Sequence, residues 1–421
     1  MYPDLNAERS LGPVEGVYRT PRWRANRRFF PVYLDNSATT APLPEVVRSL
    51  TRHYSNPSSL YAGGYEAGRV LTEARRQLAS LLGAQEGEIL FTSGGTESNN
   101  WAIQGTLAAL PQKRHIVTTA VEHSSVLQTC RRMEQRGFPL TVLPVDDEGQ
   151  LDVEALAHAI TDDTALVSIM AANNETGVLF PLQRIAGRVK EKGCLLHVDA
   201  VQAFGKMAID LSQLPIDLMS LSGHKIHGPR GIGALFVRKG TPIEPLLIGG
   251  GQERGLRAGT ENVAAANGLA IAATQAYRNL PADIERIKRM RDDLEEEILR
   301  RFPFARVCGD RTNRLPSTSC IAFAGWSNKA ILAYLDQQGI SLSGGSACCS
   351  RNPTPSHVLV AMGIAPAIAK GAIRVSLSRF TVEAEIRYLL DMITDFFIDS
   401  AAIDPLPLSS ADPTVMASQR R

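Results

Sequence analysis

Lys225 lies in the stretch LSGHKIHGPRGIGALF, between an apolar run and a glycine-rich turn. A lysine held in a partly dry pocket can form a Schiff base with a carbonyl compound, whereas a lysine on an open surface mainly adds solubility. Ser222, His224 and His227 are its neighbours, and they argue against an open surface. Both interpretations of Lys225 remain possible from this stretch alone.

Two further stretches place polar residues directly after apolar runs. In LLHVDAVQAFGK the run ends at Asp199, and Gln202 follows. The Asp199 carboxylate can cap a helix, or it can keep a nitrogen heterocycle protonated through charge pairing. In TSGGTESNN, Gly94, Gly95 and Thr96 open a helical pattern. The free N–H groups of such a helix start can bind a phosphate, although the motif also serves as a simple turn and cap.

His123 in VEHSSV and two asparagines in NNETG, Asn173 and Asn174, also follow apolar runs. Each of these residues alone is explained by an ordinary structural role. Their coincidence changes the interpretation, because open parallel sheets bind ligands at the carboxyl ends of their strands. A phosphate cradle, an aspartate, an imine-forming lysine, a histidine and an asparagine at one sheet edge predict a site for pyridoxal phosphate.

Between about residues 31 and 260, short apolar runs alternate with amphipathic helical patterns. The runs predict buried strands at 88–93, 115–120, 164–171, 195–199 and 217–222. The amphipathic stretches predict helices at 65–82, 97–110, 124–136 and 181–192. This alternation implies crossover connections and a mostly parallel sheet with helices on both faces. The predicted fold class is α/β.

The pattern changes from about residue 262. A long helical stretch over roughly 262–300 interleaves acidic and basic residues at helical spacing. After it we predict strands at 317–324 and 372–378 and helices near 328–338 and 382–398. These elements predict a smaller α+β domain joined to the first by the long helix.

Four regions follow from these patterns. We predict a poorly ordered basic arm at 1–30, a large domain at 31–261, the linking helix and small domain at 262–400, and a disordered tail at 401–421. The arginines of the arm stand among acidic residues, which transit peptides lack, so a solvated arm is the expectation.

Composition excludes several classes of protein. A chain of 421 residues exceeds one hydrophobic core, and 44% hydrophobic residues are ordinary for a globular protein. The net charge of +2 gives no case for nucleic-acid or membrane binding, and no apolar run is long enough to span a bilayer. The six cysteines lack C-x-x-C spacing, which favours a reducing cytoplasm over disulfides or structural zinc.

The ordered motifs resemble those of the NifS/IscS-like cysteine desulfurases, within the class V aminotransferase superfamily of fold type I. The resemblance runs from 32 to 381 and rests on VYLDNSATT, TSGGTES, EHSSV, NNETG, HVDAVQ, SGHKIHGPRGIGAL, GGGQERGLRAGTEN and SGGSACCS. It implies a homodimeric enzyme with pyridoxal phosphate that takes sulfur from L-cysteine, releases L-alanine and passes the sulfur to an acceptor.

The resemblance also implies a role for each cofactor residue. Lys225 would bind the cofactor covalently, Asp199 would face its pyridine nitrogen, and Gln202 would contact its ring hydroxyl. His123 would stack on the ring and assist proton transfer. The phosphate would be held by Gly95, Thr96, Ser222 and His224 and, from the partner subunit, by the residue that matches Thr260.

Substrate and sulfur are assigned in the same way. Asn174 and Arg374 would bind the substrate carboxylate and the cofactor edge, so Asn174 is also a cofactor-binding residue. A guanidinium offers a planar bidentate match to a carboxylate. By resemblance, Cys348 in GGSACCS is the nucleophile that receives sulfur as a persulfide. No metal is expected, apart from transient ligation of an iron–sulfur cluster by Cys348. Cys349 departs from the family pattern and is interpreted as a tolerated small residue or as a second thiol.

Several alternatives stay open. A selenocysteine lyase or another pyridoxal-phosphate lyase would use the same site, and a non-catalytic scaffold is a more remote hypothesis. The acceptor can be an iron–sulfur scaffold or a sulfur carrier, and the sulfur can serve tRNA thiolation or another thio-cofactor. The other cysteines are expected to be packing residues: Cys130, Cys194, Cys308 and Cys320.

Overall fold

The structure is a computed structural model that describes residues 31–344 and 356–400. The predicted arm at 1–30, the segment 345–355 with Cys348 and Cys349, and the tail at 401–421 lie outside the described residues. The predictions made for them stay predictions.

Short strands alternate with helices along most of the described chain. The strands are β1 (Val32–Tyr33), β2 (Ile89–Thr92), β3 (His115–Thr119), β4 (Leu140–Leu143), β5 (Thr164–Met170), β6 (Leu195–Asp199), β7 (Leu218–Ser222), β8 (Gly233–Val237), β9 (Ala305–Val307), β10 (Thr318–Phe323), β11 (Ile340–Ser341) and β12 (Ala372–Ser376). The helices are α1 (Pro44–Leu50), α2 (Ala62–Leu82), α3 (Gly95–Ala109), α4 (Ser124–Gln135), α5 (Val153–Ala159), α6 (Leu182–Glu191), α7 (Val263–Arg278), α8 (Leu280–Arg301), α9 (Asn328–Gln337), α10 (His357–Ala361), α11 (Pro366–Ala369) and α12 (Glu383–Ser400). Turns of 3-10 helix lie at Glu86–Glu88, Gly223–Lys225 and Gln252–Gly255.

The larger sheet has the strand order β2-β8-β7-β6-β5-β3-β4. The strands from β7 to β4 are parallel, whereas β8 runs antiparallel to both of its neighbours. The mostly parallel α/β sheet predicted from the sequence is therefore confirmed, as are the predicted strands β2, β3, β5, β6 and β7. The sequence did not predict β4, whose first three residues are only partly buried at the sheet edge, or β8, which begins at a glycine.

Helices cover both faces of the larger sheet. On one face Leu78 of α2 and Ile185 of α6 pack with Val198 of β6 in the first hydrophobic core. On the other face Trp101 of α3 and Val126 of α4 pack against the strands in a separate cluster. Because strands covered on both faces need apolar side chains throughout, their sequences are nearly continuous apolar runs.

The helix predicted over 262–300 is wrong in one respect, because the structure contains two helices there. α7 ends at Arg278, and α8 begins at Leu280 with Pro281 in its first turn. Proline has no backbone N–H to continue the ladder, and its ring crowds the carbonyl group four residues earlier. The break at Asn279 also separates packing environments, since α7 contributes to the first core and α8 to the second.

The second hydrophobic core lies around the antiparallel sheet β12-β10-β9 and includes residues of α8, α9 and α12. β1 pairs in parallel with β11, and Val32 and Leu34 belong to this second core. The predicted domain limits at 31–261 and 262–400 stay predictions. In the structure, the residues before Asn279 pack mainly in the first core and those of α8 in the second, and β1 at the start of the described chain also packs in the second core. None of the described helices is long and apolar enough to cross a membrane.

Candidate active site

Neighbouring strands of the larger sheet end side by side at one edge. β6 ends at Asp199, which pairs with Met170 of β5 and Ser220 of β7. β7 ends at Ser222 and continues directly into the 3-10 turn that carries Lys225. Because these strands are parallel, the predicted residues that follow them are brought to the same edge.

Lys225 is partly buried, and its ammonium group is bound to the chain that follows β1. Its Nζ donates hydrogen bonds to the carbonyl oxygens of Ser37 and Ala38, each at 2.7 Å. The same segment is tied to the lysine turn by Thr40, whose backbone N and Oγ1 both donate to the carbonyl oxygen of His224. This lysine is therefore not an open-surface residue, in agreement with the prediction.

Asp199 is buried and accepts hydrogen bonds from uncharged groups. Asn99 Nδ2 donates to its Oδ2 at 2.7 Å, and the backbone N of Val201 donates to its Oδ1 at 3.0 Å. Asn99 also donates to Ser125 Oγ at 2.8 Å. Ser125 Oγ in turn lies 2.8 Å from His123 Nδ1, so a continuous hydrogen-bonded path joins the aspartate to the histidine.

His123 is the N-terminal cap of α4, and this position defines its ring chemistry. Its Nδ1 accepts the backbone N–H of Ser125 at 3.1 Å, which leaves Nε2 as the protonated nitrogen of a neutral ring. Burial lowers the pKa of His123, the negative charge of Asp199 raises it, and the positive charges of Lys225 and His357 lower it further. The net shift favours a neutral imidazole near pH 7.

Gln202 lies beside the lysine. Its Nε2 donates to the carbonyl oxygen of Ser37 at 2.9 Å, the same oxygen that accepts from Lys225. Its Oε1 accepts from Lys206 Nζ at 2.9 Å. The structure therefore brings Gln202 and Lys225 together, as the sequence predicted, and adds Lys206 to them.

The predicted phosphate cradle is the start of α3. Gly94 precedes this helix with a φ of 150°, in the region that favours glycine, and a Cβ on Gly95 would lie 2.5 Å from Val201 Cγ2. Thr96 is exposed in the first turn and lines a cleft together with His123. Free N–H groups in the first turn of a helix of this length suit a phosphate.

Two more predicted phosphate residues lie at the end of β7. Ser222 is buried, and its Cβ lies 3.7 Å from the position of a Cβ on Gly95. His224 Nδ1 lies 3.1 Å from Thr39 Oγ1. Burial, with the positive charges of Lys225 and other nearby cations, lowers the pKa of His224 to about 4, so its ring is neutral near pH 7.

Arg374 of β12 is brought to Asn174, as predicted. The buried guanidinium donates from Nη1 to the carbonyl oxygen of Asn174 at 2.9 Å and from Nη2 to Asp35 Oδ1 at 2.7 Å. Arg374 Nε and Asn174 Oδ1 are buried without a hydrogen-bond partner among the described residues. Unpaired buried polar atoms are costly, and these two are available to a polar ligand.

Both described ends of the segment 345–355 are bonded beside this arginine. Before the segment, the carbonyl oxygen of Ser343 accepts the backbone N of Arg374 at 2.7 Å. After it, Ser356 Oγ donates to Glu175 Oε2 at 2.5 Å. His357 Nε2 donates to the carbonyl oxygen of Glu122 at 3.0 Å. Burial raises the pKa of Glu175 and raises that of Glu122 to about 8.

Thr260 is exposed between the 3-10 turn at Gln252–Gly255 and α7. Its predicted action in a partner subunit stays a prediction, as does the role of Cys348, which lies outside the described residues. The four other cysteines are buried, as expected: Cys130, Cys194, Cys308 and Cys320. Within the described ranges, no group of three or more histidine, cysteine or acidic residues could hold a metal ion.

The sequence interpretation missed several residues of the site. Asn99 stands inside the quoted motif TSGGTESNN, and Lys206 ends LLHVDAVQAFGK, four residues after Gln202. Their helical or near-helical spacing from predicted residues was an available signal. Asp35 gave no such signal, because its partner Arg374 is 339 residues away in the sequence.

The residues at this edge fit pyridoxal phosphate. The partly buried lysine matches the aldehyde of the cofactor, and the buried carboxylate with uncharged partners matches its pyridine nitrogen. The neutral histidine matches the aromatic ring, and the helix start with free N–H groups matches the phosphate. The unpartnered Arg374 Nε and Asn174 Oδ1 suit the carboxylate and amino groups of an amino acid. Lys225, Asp199 and His123 are therefore the candidates for cofactor binding.

Comparisons with known proteins agree with this interpretation of the site. The chain matches the family Aminotransferase class-V over residues 32–389. It is 48% identical over 378 residues to a cysteine desulfurase of Trichormus azollae, covering 89% of this chain and 94% of the relative.

Solved structures give the same result. The structure of a NifS-like protein matches with a TM-score of 0.83 and 37% sequence identity, and the match covers 88% of this chain and 100% of that protein's chain. A structure described as SspA in complex with cysteine matches with a TM-score of 0.73 and 34% identity, over 83% of this chain and 100% of its own. The chain thus belongs to the class-V aminotransferase family and, within it, to the NifS-like cysteine desulfurases.

Proposed function

We propose that this protein is a cysteine desulfurase, which removes sulfur from L-cysteine with pyridoxal phosphate as cofactor. The observation that carries the proposal is the position of the two described flanks of the segment 345–355, whose sequence includes Cys348. These flanks, Ser343 and Ser356, are bonded to Arg374 and Glu175, next to the residues that surround Lys225. The chain on either side of the segment is therefore anchored beside the candidate cofactor site.

The cofactor would be held by residues from three strand ends. Lys225 is the attachment point, Asp199 pairs with the pyridine nitrogen, and Gln202 and His123 contact the ring. The helix start at Gly95 and Thr96, with Ser222 and His224, holds the phosphate, and Thr260 of a second copy adds a hydroxyl group in a homodimer. When bound, the cofactor supplies an electron sink for the α-carbon of an amino acid.

Arg374 would bind the substrate carboxylate, and Asn174, whose Oδ1 has no partner among the described residues and accepts hydrogen bonds, would contact the substrate amino group and the cofactor edge. The guanidinium is already oriented by Asp35 and by the Asn174 carbonyl, so the direction of its Nε–H, which is unpartnered within the described ranges, is fixed before substrate arrives. A neutral His123, with its proton on Nε2, can give or take a proton at the substrate. The related SspA structure is described as a complex with cysteine, which supports an L-cysteine substrate.

Sulfur transfer requires a thiolate, which we assign to Cys348. One proton is first removed from the α-carbon of the substrate. The thiolate then attacks the substrate sulfur, an S–S bond forms as the Cβ–S bond breaks, and the electron pair passes to the carbon skeleton. Protonation at Cβ and return of a proton to the α-carbon then release the skeleton as L-alanine. The enzyme retains a persulfide and passes its outer sulfur to an acceptor, either an iron–sulfur scaffold or a sulfur carrier.

The test supplies L-cysteine and a reductant and measures sulfide and alanine. We expect equimolar products from the wild type, none from Cys348→Ser, and near wild-type rates from the matched control Cys349→Ser. Lys225→Ala should lack the visible absorbance band of lysine-bound cofactor. Alanine release by Cys348→Ser at the wild-type rate would refute the nucleophile assignment. A strong preference for L-selenocysteine would instead identify a selenocysteine lyase.

A further inference from the structure

Lys206 is a second lysine at the Lys225 site. Its Nζ donates to Gln202 Oε1 at 2.9 Å, and Gln202 Nε2 donates to the Ser37 carbonyl oxygen at 2.9 Å. Lys225 Nζ donates to the same carbonyl oxygen at 2.7 Å. A glutamine side chain and one carbonyl group thus connect the two ammonium groups.

The surroundings of Lys206 are rich in cationic and titratable side chains. They are contributed by the lysine turn, β12, α8 and the chain after β12: His224, Lys225, His227, Arg374, Asp283 and Arg379. Asp283 is the acidic member, and it lies 3.7 Å from Arg379 and 3.9 Å from Arg286. Burial and the charges of Lys225 and Arg374 lower the pKa of Lys206 to about 7.

We propose that Lys206 is a positioning residue for the cofactor: it fixes the amide orientation of Gln202, so that the amide nitrogen of Gln202 is the group presented to the cofactor ring. This inference rests on the proposed function, because it assumes that Lys225 attaches pyridoxal phosphate. It concerns which group of Gln202 contacts the ring of the attached cofactor.

The orientation of Gln202 follows from donor and acceptor counting. An ammonium group only donates, so the side of the Gln202 amide that faces Lys206 must be the oxygen. The nitrogen then faces Ser37, and one of its two N–H groups is used there. The other N–H stays available to donate to the ring oxygen of the cofactor. Without Lys206 the amide could rotate by half a turn and present its oxygen instead.

The charge of Lys206 sets the pH range in which it orients the amide. This orientation requires Lys206 to be charged, because an uncharged amine can accept as well as donate a hydrogen bond. The pKa of Lys206 is about 7, so the orientation is enforced below neutral pH.

The experiment removes the cofactor, adds pyridoxal phosphate back, and records the absorption maximum of the lysine-bound form at one fixed pH below 7, at which Lys206 is charged. Borohydride reduction and peptide mass spectrometry confirm attachment at Lys225. The variants are Lys206→Met, which loses charge and donor, and Lys206→Arg, which keeps both. Lys192→Met, at an exposed lysine after α6, is the matched control.

We expect Lys206→Met to shift this absorption maximum, Lys206→Arg to restore most of the wild-type maximum, and Lys192→Met to match the wild type. An unchanged maximum in a folded Lys206→Met protein overturns the positioning role. If Lys206→Met does not fold, Lys206→Gln replaces it, because a glutamine at this position both donates and accepts and so does not enforce one orientation of the Gln202 amide. The same shift is expected from it.

A double variant tests whether the two residues act through the same contact. Gln202→Leu and Lys206→Met should each shift the absorption maximum of the bound cofactor, and the double variant should shift it no further than either one. Additive shifts would overturn the positioning role. Failure of the proposed function is distinguishable from both results, since a wild type that attaches no pyridoxal phosphate would show no band at any pH.

Discussion

Substitution of Arg374 by lysine tests the proposed substrate site most directly. The arginine uses Nη1 for the Asn174 carbonyl and Nη2 for Asp35, and Nε has no hydrogen-bond partner among the described residues. Lysine keeps the positive charge but replaces a planar fork with a single flexible point. It cannot contact Asn174, Asp35 and a substrate carboxylate in the geometry of the guanidinium.

The expected magnitude follows from the loss of one hydrogen bond to a charged partner. Such a bond contributes about 1.5–3 kcal/mol. Since about 1.4 kcal/mol corresponds to a factor of ten, KM for L-cysteine should rise about 10- to 150-fold. The cofactor contacts of Lys225 and Asp199 do not involve the guanidinium directly, so the visible band should be retained.

The assay measures initial rates of sulfide release over a range of L-cysteine concentrations. Arg306→Lys is the matched control, because Arg306 is an exposed arginine on β9 of the same small sheet. The control should leave KM unchanged. Arg374→Lys with a wild-type KM would refute the substrate role. Equal loss of cofactor binding and activity would show instead that Arg374 acts through the packing of the segment around Asp35.

Two further predictions concern buried titratable groups. Burial raises the pKa of Glu122 to about 8, above its ordinary value of 4.5, so wild-type stability should fall as pH rises from about 4.5 to 8, where only the unfolded chain ionises. Glutamine cannot ionise, so the free energy of unfolding of Glu122→Gln, measured in urea, should rise relative to that of the wild type by a few kcal/mol over this pH range. Free energies of unfolding that change in parallel with pH in the two proteins would contradict this prediction. Burial also raises the pKa of Cys130 and of Cys194 to about 12, so iodoacetamide at pH 8 should leave both unlabelled in the folded protein, as judged by peptide mass spectrometry.

The residues that the sequence predicted well share one property: each follows a strand that is buried on both faces. Asp199 and Lys225 come directly after such strands, and the rule that parallel strands end at a common edge sufficed to group them. The break between α7 and α8 was also legible, since Pro281 marks it, but the helical spacing on either side concealed it.

The remaining features depend on contacts between distant parts of the chain. β1 and β11 are two residues each, and their pairing joins Val32 to Ile340. No local periodicity can encode such a pair, because a two-residue strand has no pattern of its own. The hydrogen bond from Arg374 to Asp35 depends on that pairing, so the sequence could identify the arginine but not the group that orients it.

The segment after β1 connects the two hydrophobic cores at the site. Asp35 accepts from Arg374, which belongs to the small sheet, while the carbonyl oxygen of Ser37 accepts from Lys225, which belongs to the larger one. Between them Asn36 Nδ2 donates to the Ser376 carbonyl oxygen at 2.8 Å. Three consecutive residues therefore fix the distance between the candidate substrate arginine and the candidate cofactor lysine. Two of these three contacts use side-chain atoms, Asp35 Oδ1 and Asn36 Nδ2, so truncation of either side chain should loosen this spacing, whereas the backbone contact of Ser37 should be lost only when β1 separates from β11.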